Sequence, residues 1–275
     1  MSPTLQAYRA DLERINDLAS RDLSPANVDW QQKRYQCHDC FGAKFVEEDD
    51  YGGALDAYRA SRLLAKDIVR QDPENGSAQR ALSQSYQRIA EVYFKLGQHD
   101  EGKQAFHSGF AIRQRLADGN PENLLWQYDL FHGLRGFGDM LTRANLRDEA
   151  LQTYREACML SEQRFAQEPE NAHWQGYLSF SHDKIGTILF DKGQYEEALQ
   201  SFRKCLVLHE KLEKGAPRTL LGQKNIARDH DKISLTLQRL GRHDESLKAQ
   251  RDGQAIRDGL PEVAREVQEM RDYYR

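Results

Sequence analysis

The chain has 275 residues, 30% of them charged, a mean hydropathy of −0.82 and a net charge of −4 with a pI near 6.2. No basic excess is present to neutralise phosphates, so nucleic acid is not an expected partner. No apolar run approaches the ~18 residues that a membrane span needs. Apolar residues make up 39% of the chain, but they are strongly patterned, as in a folded protein with much exposed surface.

The opening Met1-Ser2-Pro3-Thr4-Leu5-Gln6 has neither the basic nor the apolar region of a secretory leader, and Ser2 excludes myristoylation. Cysteines at 37, 40, 158 and 205 do not make a disulfide framework in a chain of this size. A cytoplasmic location is the expectation. Residues 4–20 carry Leu5, Tyr8, Leu12, Ile15 and Ala19 at helical spacing. The segment 1–24 is therefore expected to be a capping helix.

A lattice begins next. Pro25, Pro73, Pro121, Pro169 and Pro217 stand 48 residues apart, and Trp30, Trp126 and Trp174 keep the same period, with Ala78 and Gly222 in the vacant places. Gln31, Gln79, Gln127, Gln175 and Gln223 follow them. Five repeats result, at 25–72, 73–120, 121–168, 169–216 and 217–260.

Each repeat reads as two helices. Asn27, Asn75, Asn123, Asn171 and Thr219 are N-cap residues for the first, whose side-chain oxygens accept from free N–H groups of the first turn. Apolar pairs four residues apart mark its buried stripe: Phe41 and Phe45, Ile89 and Tyr93, Phe137 and Leu141, Ile185 and Leu189, Ile233 and Leu237. Asp49, Gly97, Asn145, Gly193 and Gly241 end it, all being residues that tolerate the left-handed conformation. Acidic pairs such as Asp100-Glu101 and Glu196-Glu197 then suit the positive N-terminal end of a second helix carrying Tyr58, Phe106, Tyr154 or Phe202. Small residues recur where helices must approach closely, as in Gly42, Ala90, Gly138, Gly186 and Ser234. Residues 261–275, with Val263, Val267 and Met270, form an expected C-terminal cap. The closing Tyr273-Tyr274-Arg275 is either a displayed tail or a frayed end.

In repeat four the packing slots are His182, Ile185, Gly186, Leu189, Ala198, Phe202 and Cys205. This succession of large, small and aromatic residues resembles the tetratricopeptide (TPR) signature, with a period of 48 in place of about 34. The phrases Asp72-Pro73-Glu74-Asn75 and Trp174-Gln175 also resemble long-repeat bacterial TPR arrays. The extra residues amount to about four helical turns, enough to lengthen both helices without rotating the stripe. The resemblance implies an all-α, TPR-like helical solenoid, a right-handed superhelix of antiparallel pairs with about 12 helices in one continuous domain.

It further implies a non-catalytic interaction scaffold that binds another protein, as an extended peptide or a helix, in a concave groove. The groove positions that the resemblance implies include Gln36, Asp39, Ala43, Val46 and Glu47 in repeat one and Gln84, Gln87, Glu91, Phe94 and Lys95 in repeat two. Repeat three supplies His132, Arg135, Asp139, Thr142 and Arg143, and repeat four Phe180, Asp183, Thr187, Phe190 and Asp191. Repeat five supplies Arg228, Asp231, Leu235, Gln238 and Arg239. Their variety fits a specific partner, and it equally fits a solvated face. Phe94, Phe180 and Phe190 are either interface anchors or packing residues of the lengthened helices. A carboxylate clamp of the chaperone-binding kind is not expected, since of Asp39, Ala43, Gln87, Glu91, Arg135 and Asp139 only Arg135 is basic.

A peptide- or small-ligand-responsive regulator is the alternative function, and an enzyme or metal protein a distant one. Cys37-His38-Asp39-Cys40 has C-x-x-C spacing, but it sits mid-helix with no second zinc-like pair. His-Asp recurs in register at 38–39, 182–183 and 230–231. Catalysis needs one copy, whereas repeat packing needs one in each unit. No Gly-rich phosphate loop is present. No catalytic residue, cofactor or metal is therefore expected, and the oligomeric state is left open.

Overall fold

A computed structural model describes residues 2–21, 28–215 and 219–260. Among the described residues there are eleven α-helices and no strand. The chain divides into two compact units, the first ending at Asn145 and the second starting at Leu146.

The first unit holds α1 (Pro3–Arg21), α2 (Val28–Glu47), α3 (Tyr51–Gln71), α4 (Gly76–Lys95), α5 (His99–Gly119) and α6 (Leu124–Arg143). The second holds α7 (Arg147–Gln167), α8 (Ala172–Asp191), α9 (Tyr195–Gly215), α10 (Leu220–Arg239) and α11 (His243–Asp258). Within each unit every helix packs on its neighbours in sequence. The expected C-terminal helix over 261–275 lies outside the described residues, as do Pro25, Asn27 and Pro217. No described helix is long and apolar enough to cross a membrane.

The helix ends follow from local chemistry. Asn75, Asn123, Asn171 and Thr219 each accept a hydrogen bond from a backbone N–H of the first turn of α4, α6, α8 and α10. Each such cap contributes about 1 kcal/mol. At the far ends of the first helices, Asp49, Gly97, Asn145, Gly193 and Gly241 all have positive φ, between 57° and 76°. That conformation stops one helix and lets the next begin two residues later, at Tyr51, His99, Arg147, Tyr195 and His243.

The expected small residues admit the aromatic rings of the second helices. A Cβ on Gly186 would stand 2.6 Å from Phe202, and Gly42 bears the same relation to Tyr58. Phe41, Phe45, Tyr58 and Ile89 form one core cluster of the first unit. Helix α1 packs on it, with Tyr8 set 5.2 Å from Phe41 and 5.8 Å from Phe45, ring to ring. In the second unit Trp174 and Tyr154 are fully buried, with Leu199 and Leu237 almost so.

Candidate functional site

A cavity of about 280 Å³ opens in the first unit. Its lining is Asp39 from α2, Gln84, Gln87, Arg88 and Glu91 from α4, Arg113 from α5, and Asp129 and His132 from α6. The structure thus brings together five of the expected groove residues: Asp39, Gln84, Gln87, Glu91 and His132. Arg88, Arg113 and Asp129 were not among them.

Every lining residue is polar or charged. Arg113 is the deepest, with 6% of its surface exposed. Its Nη2 donates to Gln87 Oε1 at 2.6 Å and its Nε to Ser83 Oγ at 3.4 Å. Neither acceptor supplies a counter-charge, and burial pulls the Arg113 pKa below its ordinary value. Gln87 passes the chain on, its Nε2 donating to Glu91 Oε1 at 2.9 Å. Arg88 Nε stands 3.4 Å from Asp39 Oδ1, a buried oxygen that receives no hydrogen bond. Asp129 is held by Arg80 through two hydrogen bonds. Burial, then the neighbouring Arg135, lowers the pKa of His132, which keeps that imidazole neutral near pH 7. The cavity therefore presents one buried cation, one under-satisfied carboxylate and amide groups of both polarities. It suits a polar group that can accept from Arg113 and donate to Asp39.

The missed residues left a faint trace. Arg113 sits on the second helix of its repeat, at the place of Ala65, Ser161 and His209, and faces the bare backbone of Gly133. Reading the second-helix slots against the glycines opposite them would have found it.

The other expected groove residues lie elsewhere. Phe94 is half-buried, stacked on His99 at 5.3 Å and meeting Phe137 edge-on at 6.1 Å. Phe180 lies 6.2 Å from Tyr154 with the Lys184 ammonium 5.3 Å from its ring, and Phe190 meets Tyr195 at 5.2 Å. All three phenylalanines are thus engaged in packing. Lys95 sits 5.5 Å over the Tyr51 ring, and Arg135 lies 4.0 Å from Asp139 on the same helix. Asp183 pairs with Lys232 at 2.5 Å, Thr187 lies 3.3 Å from the same ammonium, and Asp231 pairs with Arg257. Arg143, Asp191, Arg228 and Arg239 are exposed outside the cavity lining.

The recurrent His-Asp pairs are absorbed by these contacts. Asp39, Asp183 and Asp231 each pair with a cation on another helix, His38 bonds to Tyr8, and His182 is buried beside Cys158. Cys37 is only half-buried and Cys40 is exposed, so small buried cysteines are found at 158 and 205 and not in the C-x-x-C segment. Burial raises the Cys37 pKa to about 11, which makes it a poor thiolate.

Two tetratricopeptide-repeat family models match the chain, one over residues 83–109 and one over residues 183–214. No curated protein sequence matches it. Among solved structures it is similar to BtubC (BKLC) from P. vanneervenii, with a TM-score of 0.61 at 15% identity, covering 95% of this chain and 94% of that one. It is similar to the apo form of RapI, with a TM-score of 0.63 at 14% identity over 94% of this chain, while spanning 60% of RapI. The TPR-like repeats of a Podosopora anserina putative kinesin light chain superpose with a TM-score of 0.51 at 14% identity, covering 81% of this chain and 94% of that one. At such identities the likeness is one of fold. Combined with the family models in two separate repeats and the packing slots filled at a 48-residue period, it shows that this chain carries tetratricopeptide repeats in an all-α, TPR-like helical solenoid.

Proposed function

We propose that the chain is a non-catalytic interaction scaffold whose first unit takes a polar side chain of a partner protein into the cavity around Arg113. The observation that carries the reading is a buried guanidinium, aimed into a cavity, whose only acceptors among the described residues are the uncharged Gln87 and Ser83. A volume of about 280 Å³ is at the lower edge of small-ligand pockets and holds one or two side chains, not a whole helix. The rest of an extended segment would run along α4 and α6. A side-chain amide on that segment would accept from Arg113 through its oxygen and donate to Asp39 through its nitrogen. Phe94, Phe180 and Phe190 are partly exposed and also pack against neighbouring rings. Replacing them would reduce stability, so they are poor probes of binding.

A displayed peptide library panned against the purified chain tests this reading. Enriched peptides should carry an Asn or Gln, and their affinity should fall at least about tenfold in Arg113→Met and in Gln87→Ala. Peptides that bind both variants as tightly as the wild type would place recognition elsewhere.

A further inference from the structure

We propose that Cys205, His209 and Asp229 form a binding site for a divalent transition cation of the zinc class. Cys205 and His209 lie one turn apart on α9, and Asp229 faces them from α10. Cys205 Sγ is 3.7 Å from His209 Nδ1 and 3.6 Å from Asp229 Oδ1, and His209 Nδ1 is 2.5 Å from Asp229 Oδ2. Metal–ligand bonds of about 2.0–2.3 Å in a tetrahedron set ligand atoms roughly 3.3–3.8 Å apart. The two sulfur separations already have that span. The His–Asp separation is that of a hydrogen bond, and it opens when a cation takes the place of the shared proton.

The repeat lattice separates this trio from ordinary packing. The same three places hold Ser61, Ala65 and Ser85 at the first junction between repeats, and Gly109, Arg113 and Gly133 at the second. The third junction has Ala157, Ser161 and Ser181. Packing there is met by small residues, or by one arginine opposite a glycine. At the fourth junction all three places carry ligand types, a thiol, an imidazole and a carboxylate. Cys205 and Asp229 are buried and the His209 side chain is 11% exposed, which leaves a narrow route from solvent.

Charge also favours the site. A thiolate and a carboxylate together neutralise a divalent cation, and a neutral cluster is the form a buried site tolerates. Uptake releases the Cys205 thiol proton, and Nδ1 of His209 frees its lone pair as its proton leaves for Nε2 or solvent. Three protein ligands leave a fourth position for water or an outside group. A second trio, Cys158, Glu162 and His182, repeats the spacing one residue off the lattice, but its atoms are 3.8–3.9 Å apart and Glu162 is 51% exposed. The proposal rests on the tighter trio.

Cobalt(II) titration of the purified chain, followed by displacement with zinc(II), tests it. The expected result is stoichiometric uptake with a thiolate-to-cobalt charge-transfer band that is lost in Cys205→Ala and retained in Cys158→Ala. Asp229→Ser should weaken zinc binding at least about tenfold. Both site variants install residues that the third junction already carries at these places, Ala157 and Ser181, and circular dichroism verifies that the helices persist. X-ray absorption of the zinc-loaded wild type needs no variant and should show sulfur and imidazole ligands. No stoichiometric cobalt, a zinc shell without sulfur, or a band that survives in Cys205→Ala would each overturn the assignment.

Discussion

The guanidinium of Arg113 occupies the space that a side chain at Gly133 would fill: a Cβ built there would stand 2.5 Å from Nη1. One residue's missing side chain thus fixes another's position, and through it the depth of the polar cavity. Gly133→Ala should push the guanidinium aside at a cost of about 1–3 kcal/mol, the usual range for overpacking a filled site. Arg113→Met should cost less, because burial already disfavours the charge and outweighs the nearby Asp129 and Glu91 carboxylates. Urea midpoints of the two variants measure the order. A Gly133→Ala protein as stable as the wild type would show that the space is spare.

Trp174 and Ala78 occupy the same place in two repeats and both are buried, Trp174 with none of its surface exposed. Trp174→Ala should therefore leave a cavity and cost about 3–5 kcal/mol. Trp126, at the same place and only half-buried against Ile112 and Leu116, should cost clearly less on truncation. Chemical denaturation of the two variants compares them, and equal losses would contradict the burial.

Most of the helix architecture was legible because the caps and stops are local. Asn75 binds the N–H of Ala78, three residues on, and Gly97 stops α4 through its own φ of 73°. Neither depends on distant chain. The site was less legible because it is built from contacts between repeats. Gln84, Gln87, Glu91 and His132 could be named from first-helix positions alone, but Arg113 comes from a second helix and works only with Gly133 opposite. The packing of the phenylalanines was hidden for the same reason. Phe94 lies over Gly102, whose absent Cβ would stand 2.7 Å from its ring, a closeness that single positions do not reveal.

Asp39 with Arg88 and Asp183 with Lys232 are one ion pair of the lattice, made twice, each across 49 residues (88 − 39 and 232 − 183) between successive first helices. The groups are partly exposed, at 26% and 44% in the first pair and 17% and 28% in the second. Screening by water should hold the coupling of the second pair, measured by a double-mutant cycle of Asp183→Ala and Lys232→Ala, to about 1 kcal/mol or less. It should shrink further at 1 M salt. A coupling of several kcal/mol that salt leaves unchanged would show a pair sealed from solvent.

His182 makes folding of the second unit sensitive to mild acid. Burial, followed by the charge of Lys204, lowers its pKa from 6.5 to about 4. The unfolded chain therefore binds the proton more readily than the folded one below pH 6.5. By linkage, the contribution of the neutral imidazole is complete above pH 6.5 and declines as the pH falls toward 4. Each tenfold loss of proton affinity on folding is worth about 1.4 kcal/mol, so the whole contribution is on the order of 3 kcal/mol. Leu134 fills the same lattice place in repeat three and is buried, so His182→Leu puts into repeat four a residue the packing accepts elsewhere. The wild type should lose stability between pH 7 and pH 5 by about 2 kcal/mol more than this variant does. Urea unfolding at the two pH values gives the difference directly, and identical losses in both proteins would mean that His182 is not the titrating group.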